Sequence, residues 1–209
     1  MSSNPFLKAP AEAGSRRSLP TDIILVVVIG LTITALTYLF ILVPSQVDGK
    51  SMEPNFFNGE IVISNKLIHI LGNTGIGERF NYNYKRGDVV VFKKSDREKS
   101  LIKRIIAIPG DTLMFQDKKF IVNGQTLFED YIPDTRDFET SLPSDAFITE
   151  GREVTVPDNK YFVVGDNRRN STDSRFEEIG WVDRSEMQGK TFLIFWPVSR
   201  FSLVKHADL

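Results

Sequence analysis

Leu101-Ile102-Lys103-Arg104-Ile105-Ile106-Ala107-Ile108-Pro109-Gly110-Asp111 is the stretch on which the fold turns. Its first eight residues are mostly branched apolar side chains, which suit a pleated, packed surface better than a helix. Pro109-Gly110-Asp111 then closes the segment as a turn. Alternation along such a strand puts Lys103 on one face with Leu101, Ile105 and Ala107. Arg104 falls on the other, with Ile102, Ile106 and Ile108. Outward from here, Glu60–Ser64, Asp88–Phe92 and Thr191–Trp196 repeat the pattern of short β-branched runs between turn residues. Leu113–Gln116 and Phe120–Val122 flank Asp117-Lys118-Lys119 as a hairpin, and Asn123-Gly124 is a strong two-residue turn signal. Val154–Val156 and Tyr161–Val164 resume the strands. The expected fold is mainly β: an antiparallel sheet over 44–111 and 158–209, with a smaller β cap inserted over 112–157. Within that cap, Phe128–Gly151 carries prolines and acids without a period and reads as a mobile insert.

Toward the N-terminus the pattern changes. Ile23–Val43 is a run of 21 residues without a charge, and about 20 apolar residues suffice for a helix to cross a bilayer. Thr32, Thr34 and Thr37 are compatible with that, because a hydroxyl can bond back to a helix carbonyl. A cleaved leader would have an apolar region of about 7–15 residues ending in an A-x-A-like site, and Val43-Pro44-Ser45 is not one. The run therefore predicts a single transmembrane helix over 23–43, with a polar, disordered segment at 1–22. Lys8, Arg16 and Arg17 precede it, while only Lys50 and Lys66 follow closely, which places the N-terminus in the cytoplasm and the β-domain outside.

Composition removes several function classes. A net charge of −1 gives no reason to expect nucleic acid as partner. With no cysteine and two isolated histidines, neither a cysteine nucleophile nor an ordinary zinc site is available. Asp166 and Asp173 form no metal-ligand cluster. The glycines of Asn73-Thr74-Gly75-Ile76-Gly77 lack the Lys and Ser/Thr of a phosphate loop and read as an ordinary loop.

What remains is serine chemistry. Asp48-Gly49-Lys50-Ser51-Met52-Glu53-Pro54 holds Ser51 on a glycine-flanked turn, where a hydroxyl could stand open beside backbone N–H groups. A serine hydroxyl needs a base. His69 lies in an apolar segment and His206 near the C-terminus, so Lys103 is the better candidate, since burial disfavours an ammonium. Taken alone, a serine so placed is most often a turn or cap residue, and a strand lysine such as Lys103 most often has its stem on the core and its amine in water.

Four collinear motifs carry a resemblance that bears on this choice: Ser51-Met52-x-Pro54, Arg86-Gly87-Asp88-Val89-Val90, Lys103-Arg104 with Pro109-Gly110-Asp111, and Gly165-Asp166-Asn167-Arg168 with Asn170-Ser171 and Asp173-Ser174-Arg175. Together, over roughly 40–197, they resemble bacterial type I signal peptidase. The resemblance implies a Ser51/Lys103 dyad with Ser171 orienting the lysine. It also implies carboxylates of Asp166 and Asp173 pairing Arg104 and Arg175, and a site supported by Gly49, Met52 and Pro54. Many family members carry a second serine where this chain has Gly49, so the oxyanion hole is expected to use backbone donors, chiefly the Ser51 N–H. Asn55 replaces a common threonine, and Arg169 a common aspartate.

The implied protein is a serine endopeptidase that removes signal peptides from secretory preproteins. It is expected to act as a monomer with no cofactor or metal, anchored once in the plasma (inner) membrane with the lipid bilayer against its apolar surface. Two other classes fit parts of the pattern: a LexA-like self-cleaving Ser/Lys protein, and a non-enzymatic anchored β-module.

Overall fold

The computed structural model describes residues 19–209 except 73, 81 and 208. The stretch 1–18, most of the segment expected to be disordered, lies outside the described residues. The chain divides into two units, 1–37 and 38–209. Helix α1, Leu19–Phe40, is 22 residues long. It starts before the uncharged run because Pro20 and Asp22 suit a first helical turn. It ends before that run does. The residue before a proline is steered to extended backbone, so Val43-Pro44 falls in strand β1, Leu42–Gln46, paired antiparallel with β2, Ile61–Asn65. Thr32 and Thr34 donate to the carbonyls of Val28 and Gly30 at 2.8 and 2.9 Å.

Beyond α1 the protein is mainly β and antiparallel. After β2 come two single-turn helices, α2 Leu67–Leu71 and α3 Gly75–Arg79. The second replaces the expected loop. Gly77 permits it, because a Cβ there would lie 2.0 Å from the Leu71 carbonyl oxygen. The strands that follow are β3 Val89–Phe92, β4 Leu101–Ala107, β5 Thr112–Gln116, β6 Lys119–Val122, β7 Gln125–Thr126, β8 Val154–Thr155, β9 Lys160–Val164, β10 Val182–Asp183, β11 Met187–Trp196 and β12 Ser202–Leu203. The large sheet has the order β1-β2-β11-β3-β4-β9-β10, with β12 also on β11; the small one is β7-β6-β5-β8.

β3 shows why the sheet reads as a continuous apolar run. Val89 and Val91 enter one core cluster with Met52, Phe56, Val62, Ile102 and Ile194, and Val90 and Phe92 another with Ile105, Val163 and Met187. A strand covered on both faces has no polar side to show. On β4 the alternation holds as far as Ile105. A bulge between Ile105 and Ala107 then sends both Ile106 and Ala107 into the third cluster, with Leu113, Phe120 and Phe162.

Residues 128–151, read as a mobile insert, are packed onto the rest. Ile148 is buried, Phe147 stacks edge-on against Trp181, and the Phe147 N–H donates to the Arg175 carbonyl at 2.8 Å. These contacts lie 28 or more residues away in sequence, which local periodicity cannot reveal.

Candidate active site

The turn carrying Ser51 is held from below. Met52 and Phe56 are 1% and 2% exposed, and their burial anchors a turn closed by Glu53 N–H to Lys50 C=O and by the Asn55 and Phe56 N–H groups to Met52 C=O. Gly49 has φ +91°, a conformation that favours glycine, and its N–H is spent on Asn58 Oδ1 at 2.8 Å. The Ser51 carbonyl accepts from the Asn167 N–H at 3.0 Å. That contact requires Gly165: a Cβ there would stand 2.5 Å from the Ser51 carbonyl oxygen and 2.2 Å from Ser171 Oγ.

Lys103 comes to Ser51 from β4, opposite Val90 of β3 in register. Its amine donates to Ser51 Oγ at 2.8 Å and to the Ile102 carbonyl at 2.9 Å. The side chain is buried, and that burial takes its pKa down to about 8, against the opposing pull of Asp173 and Asp166 and with a further push from Arg175 and Arg97. An amine in this state is neutral for an appreciable fraction of molecules near neutral pH. At the same separation its lone pair can accept the Ser51 hydroxyl proton.

Two buried ion pairs support the dyad. Arg104 grips Asp166 through Nε–Oδ1 at 2.9 Å and Nη2–Oδ2 at 2.7 Å, and Nη1 donates to the Gly87 carbonyl. The Tyr131 ring lies 4.0 Å from its guanidinium carbon. Arg175 grips Asp173 at 2.8 and 2.9 Å and reaches the carbonyls of Arg168, Ser171 and Ser141. Burial opposes ionisation of Asp173, but Arg175 and the Gly165 N–H prevail and hold its pKa below the ordinary value. A third pair joins Arg168 to Glu129, with Thr140 Oγ1 and Tyr131 Oη also on Arg168. Buried pairs of this kind contribute little net stability when intact, yet loss of one partner costs about 3–5 kcal/mol.

Comparison with known proteins bears on what this constellation is. The family model described as "Signal peptidase, peptidase S26" matches residues 21–196. The chain belongs to the peptidase S26 family. Among its relatives, "Signal peptidase I P" of Bacillus subtilis subsp. natto is 33% identical over 89% of this chain and 92% of that protein. "Signal peptidase I S" of Bacillus subtilis strain 168 is 34% identical over 82% and 86%. A solved signal peptidase I from Enterococcus faecalis V583 is 30% identical, covering 52% of this chain and 96% of that one at a TM-score of 0.41.

In this S26 chain the structure brings Ser51 to Lys103, Arg104 to Asp166 and Arg175 to Asp173, three pairs set around the 165–167 backbone, with Gly49, Met52 and Pro54 in or beside the Ser51 turn. It does not join Ser171 to Lys103. Among the described residues Ser171 Oγ, buried against Gly165, has no hydrogen-bond partner, although its nearness to Asp173 favours the ionised form of that carboxyl. Arg169 is exposed, 3.9 Å from Asp137. Glu129, Tyr131 and Thr140 are supports that sequence reasoning missed, and no spacing rule links them to Arg168. The same holds for the C-terminal tail: Gly87, at φ +82°, packs so closely on Ala207 that a Cβ would meet its carbonyl oxygen at 1.8 Å.

Proposed function

We infer that the protein is a membrane-anchored serine endopeptidase that cleaves signal peptides from exported preproteins, with Ser51 as nucleophile and Lys103 as general base. The observation that carries this is the 2.8 Å contact between a buried Lys103 amine and Ser51 Oγ. Neutral Lys103 takes the Oγ proton as Oγ attacks the scissile carbonyl. The resulting ammonium gives that proton to the leaving amine, and the acyl group stays on Ser51. Lys103, neutral again, then takes a proton from the water that attacks the ester, releasing the carboxylate and restoring the Ser51 hydroxyl. The Ser51 N–H serves as an oxyanion donor, since the Gly49 N–H is engaged by Asn58. Asp166 and Asp173 hold Arg104 and Arg175 and keep the two halves of the site in register. We assign Ser171, whose buried Oγ has no hydrogen-bond partner among the described residues, to orient the protonated amine once the site is loaded.

Leu19–Tyr38 of α1 is 20 residues at a mean hydropathy of 2.2, long and apolar enough to span a bilayer. We assign it as the anchor, with the basic N-terminal segment on the cytoplasmic side and the site on the far side. Phe195, Trp196, Phe201 and Leu203 of the β-domain are exposed, which supports a lipid-facing surface there. The enzyme acts as a monomer and selects small residues before the cut. The test is detergent-solubilised enzyme incubated with a preprotein whose signal peptide ends in small residues. Wild type should release a mature protein with one defined N-terminus and Ser51→Ala should release none; cleavage at wild-type rate by Ser51→Ala would sink the assignment.

A further inference from the structure

Four residues after Ser51, Asn55 ties the turn to the scaffold with its side chain. Its Nδ2 donates to Asp166 Oδ2 and to the Tyr131 carbonyl, both at 2.8 Å. Both partners are acceptors only, which fixes the amide's orientation: the NH2 must face them. Its own backbone N–H closes the turn onto Met52 C=O at 3.1 Å. Its carbonyl accepts from Arg200 Nη2 at 3.1 Å, and Arg200 also holds the buried Glu60 at 2.6 Å. The side-chain NH2, the backbone N–H and the carbonyl of Asn55 are thus engaged, and each bond leads to a different part of the chain.

Those destinations matter. Asp166 is the carboxylate that neutralises Arg104, the residue next to Lys103 on β4. Tyr131 stacks on that same guanidinium and shares Arg168 with Glu129. The nucleophile's turn and the base's strand come from separate elements, and the 128–141 loop is a third. The Asn55 amide is a point where all three meet.

We propose that Asn55 is a positioning residue, which acts through Asp166 and the Tyr131 carbonyl to hold Ser51 Oγ within reach of the Lys103 amine. The amide is suited to this because it has two N–H donors on one flat group, whereas a hydroxyl has one. Without the tie the turn can drift while β4 stays fixed, and a shift of about 1 Å in a reacting group can cost about 100-fold in rate. Substrate binding need not change, because Asn55 faces the scaffold and not the nucleophile. The proposal rests on the Ser51/Lys103 reading above.

The test compares kcat and KM for wild type, Asn55→Leu, Asn55→Thr and Ser51→Ala on one signal-peptide substrate, with the folded fraction of each measured by circular dichroism. Asn55→Leu keeps the volume and removes both donors; Asn55→Thr keeps one donor and carries the test should the leucine variant fold poorly. We expect kcat per folded molecule to fall about 10- to 100-fold in Asn55→Leu and less in Asn55→Thr, with KM within about threefold of wild type. Asn55→Leu at wild-type kcat, a rise in KM with kcat intact, or a loss that disappears after correction for folded fraction would overturn the proposal. Ser51→Ala separates the two claims. If it is inactive while Asn55→Leu turns over normally, only the positioning role fails; if it is active, the Ser51/Lys103 reading itself fails.

Discussion

Replacing Lys103 by arginine keeps a positive charge at the site and removes the proton acceptor. In the native protein Lys103 is 2% exposed, and burial takes its pKa from 10.5 down to about 8. At pH 7 about one amine in ten is then neutral, against roughly one in three thousand at the ordinary value, so burial enriches the base about 300-fold. A guanidinium stays protonated throughout the accessible pH range. General-base assistance contributes about 100- to 10,000-fold, so kcat/KM of Lys103→Arg should fall by at least that much, and no less than in Lys103→Ala. The assay is a pH–rate profile on one small-residue signal-peptide substrate. Wild-type kcat/KM should climb about tenfold per pH unit below about 8 and level off above it, as the amine loses its proton. A Lys103→Arg enzyme within a few-fold of wild type, or an ascending limb near pH 8 that survives in Lys103→Ala, would refute the base assignment.

The same burial sets a stability prediction. The folded-state pKa of Lys103 lies below its unfolded value, so the unfolded chain holds the extra proton between about pH 8 and 10.5, and stability rises with pH across that window. Below about pH 8 the penalty is complete. Lys103→Met should therefore gain up to about 3 kcal/mol at pH 7, shrinking toward zero near pH 10.5, in urea titrations of the inactive enzyme. Gly165→Ala forces a methyl to 2.2 Å from Ser171 Oγ and 2.5 Å from the Ser51 carbonyl oxygen; we expect about 1–3 kcal/mol of destabilisation and a lower kcat, read by thermal melting and turnover. Glu129→Ala leaves Arg168 buried without its carboxylate and should cost about 3–5 kcal/mol although position 129 lies far from the dyad in sequence; a melt within 1 °C or so of wild type would contradict the buried-pair account.

The strands were legible because their signals are local. Val89–Phe92 and Leu101–Ala107 are β-branched runs between turn residues, and Asp117-Lys118 and Asn123-Gly124 adopt the positive φ angles that tight hairpins use. The four motifs were legible because each packs its chemistry into a few consecutive residues. What escaped is non-local. Glu129, Tyr131 and Thr140 meet Arg168 across 28–39 residues, and nothing in an acidic, proline-bearing segment marks which acid will be buried. The bulge after Ile105 is set by pairing with β9 and not by β4's own composition. The end of α1 is hidden in the sequence for a different reason: apolar content alone does not separate Ile41–Val43 from the helix before it, and only Pro44 hints that β1 has begun.

The most direct test of the central claim is to identify the residue that becomes acylated during cleavage. Enzyme mixed with a small-residue signal-peptide substrate is quenched in acid within the first turnover, digested, and mapped by mass spectrometry. A Ser51 nucleophile predicts the substrate's acyl fragment on the peptide containing Ser51, and its disappearance together with cleavage in Ser51→Ala. An acyl fragment on any other residue, or cleavage by Ser51→Ala at the wild-type rate, would contradict it.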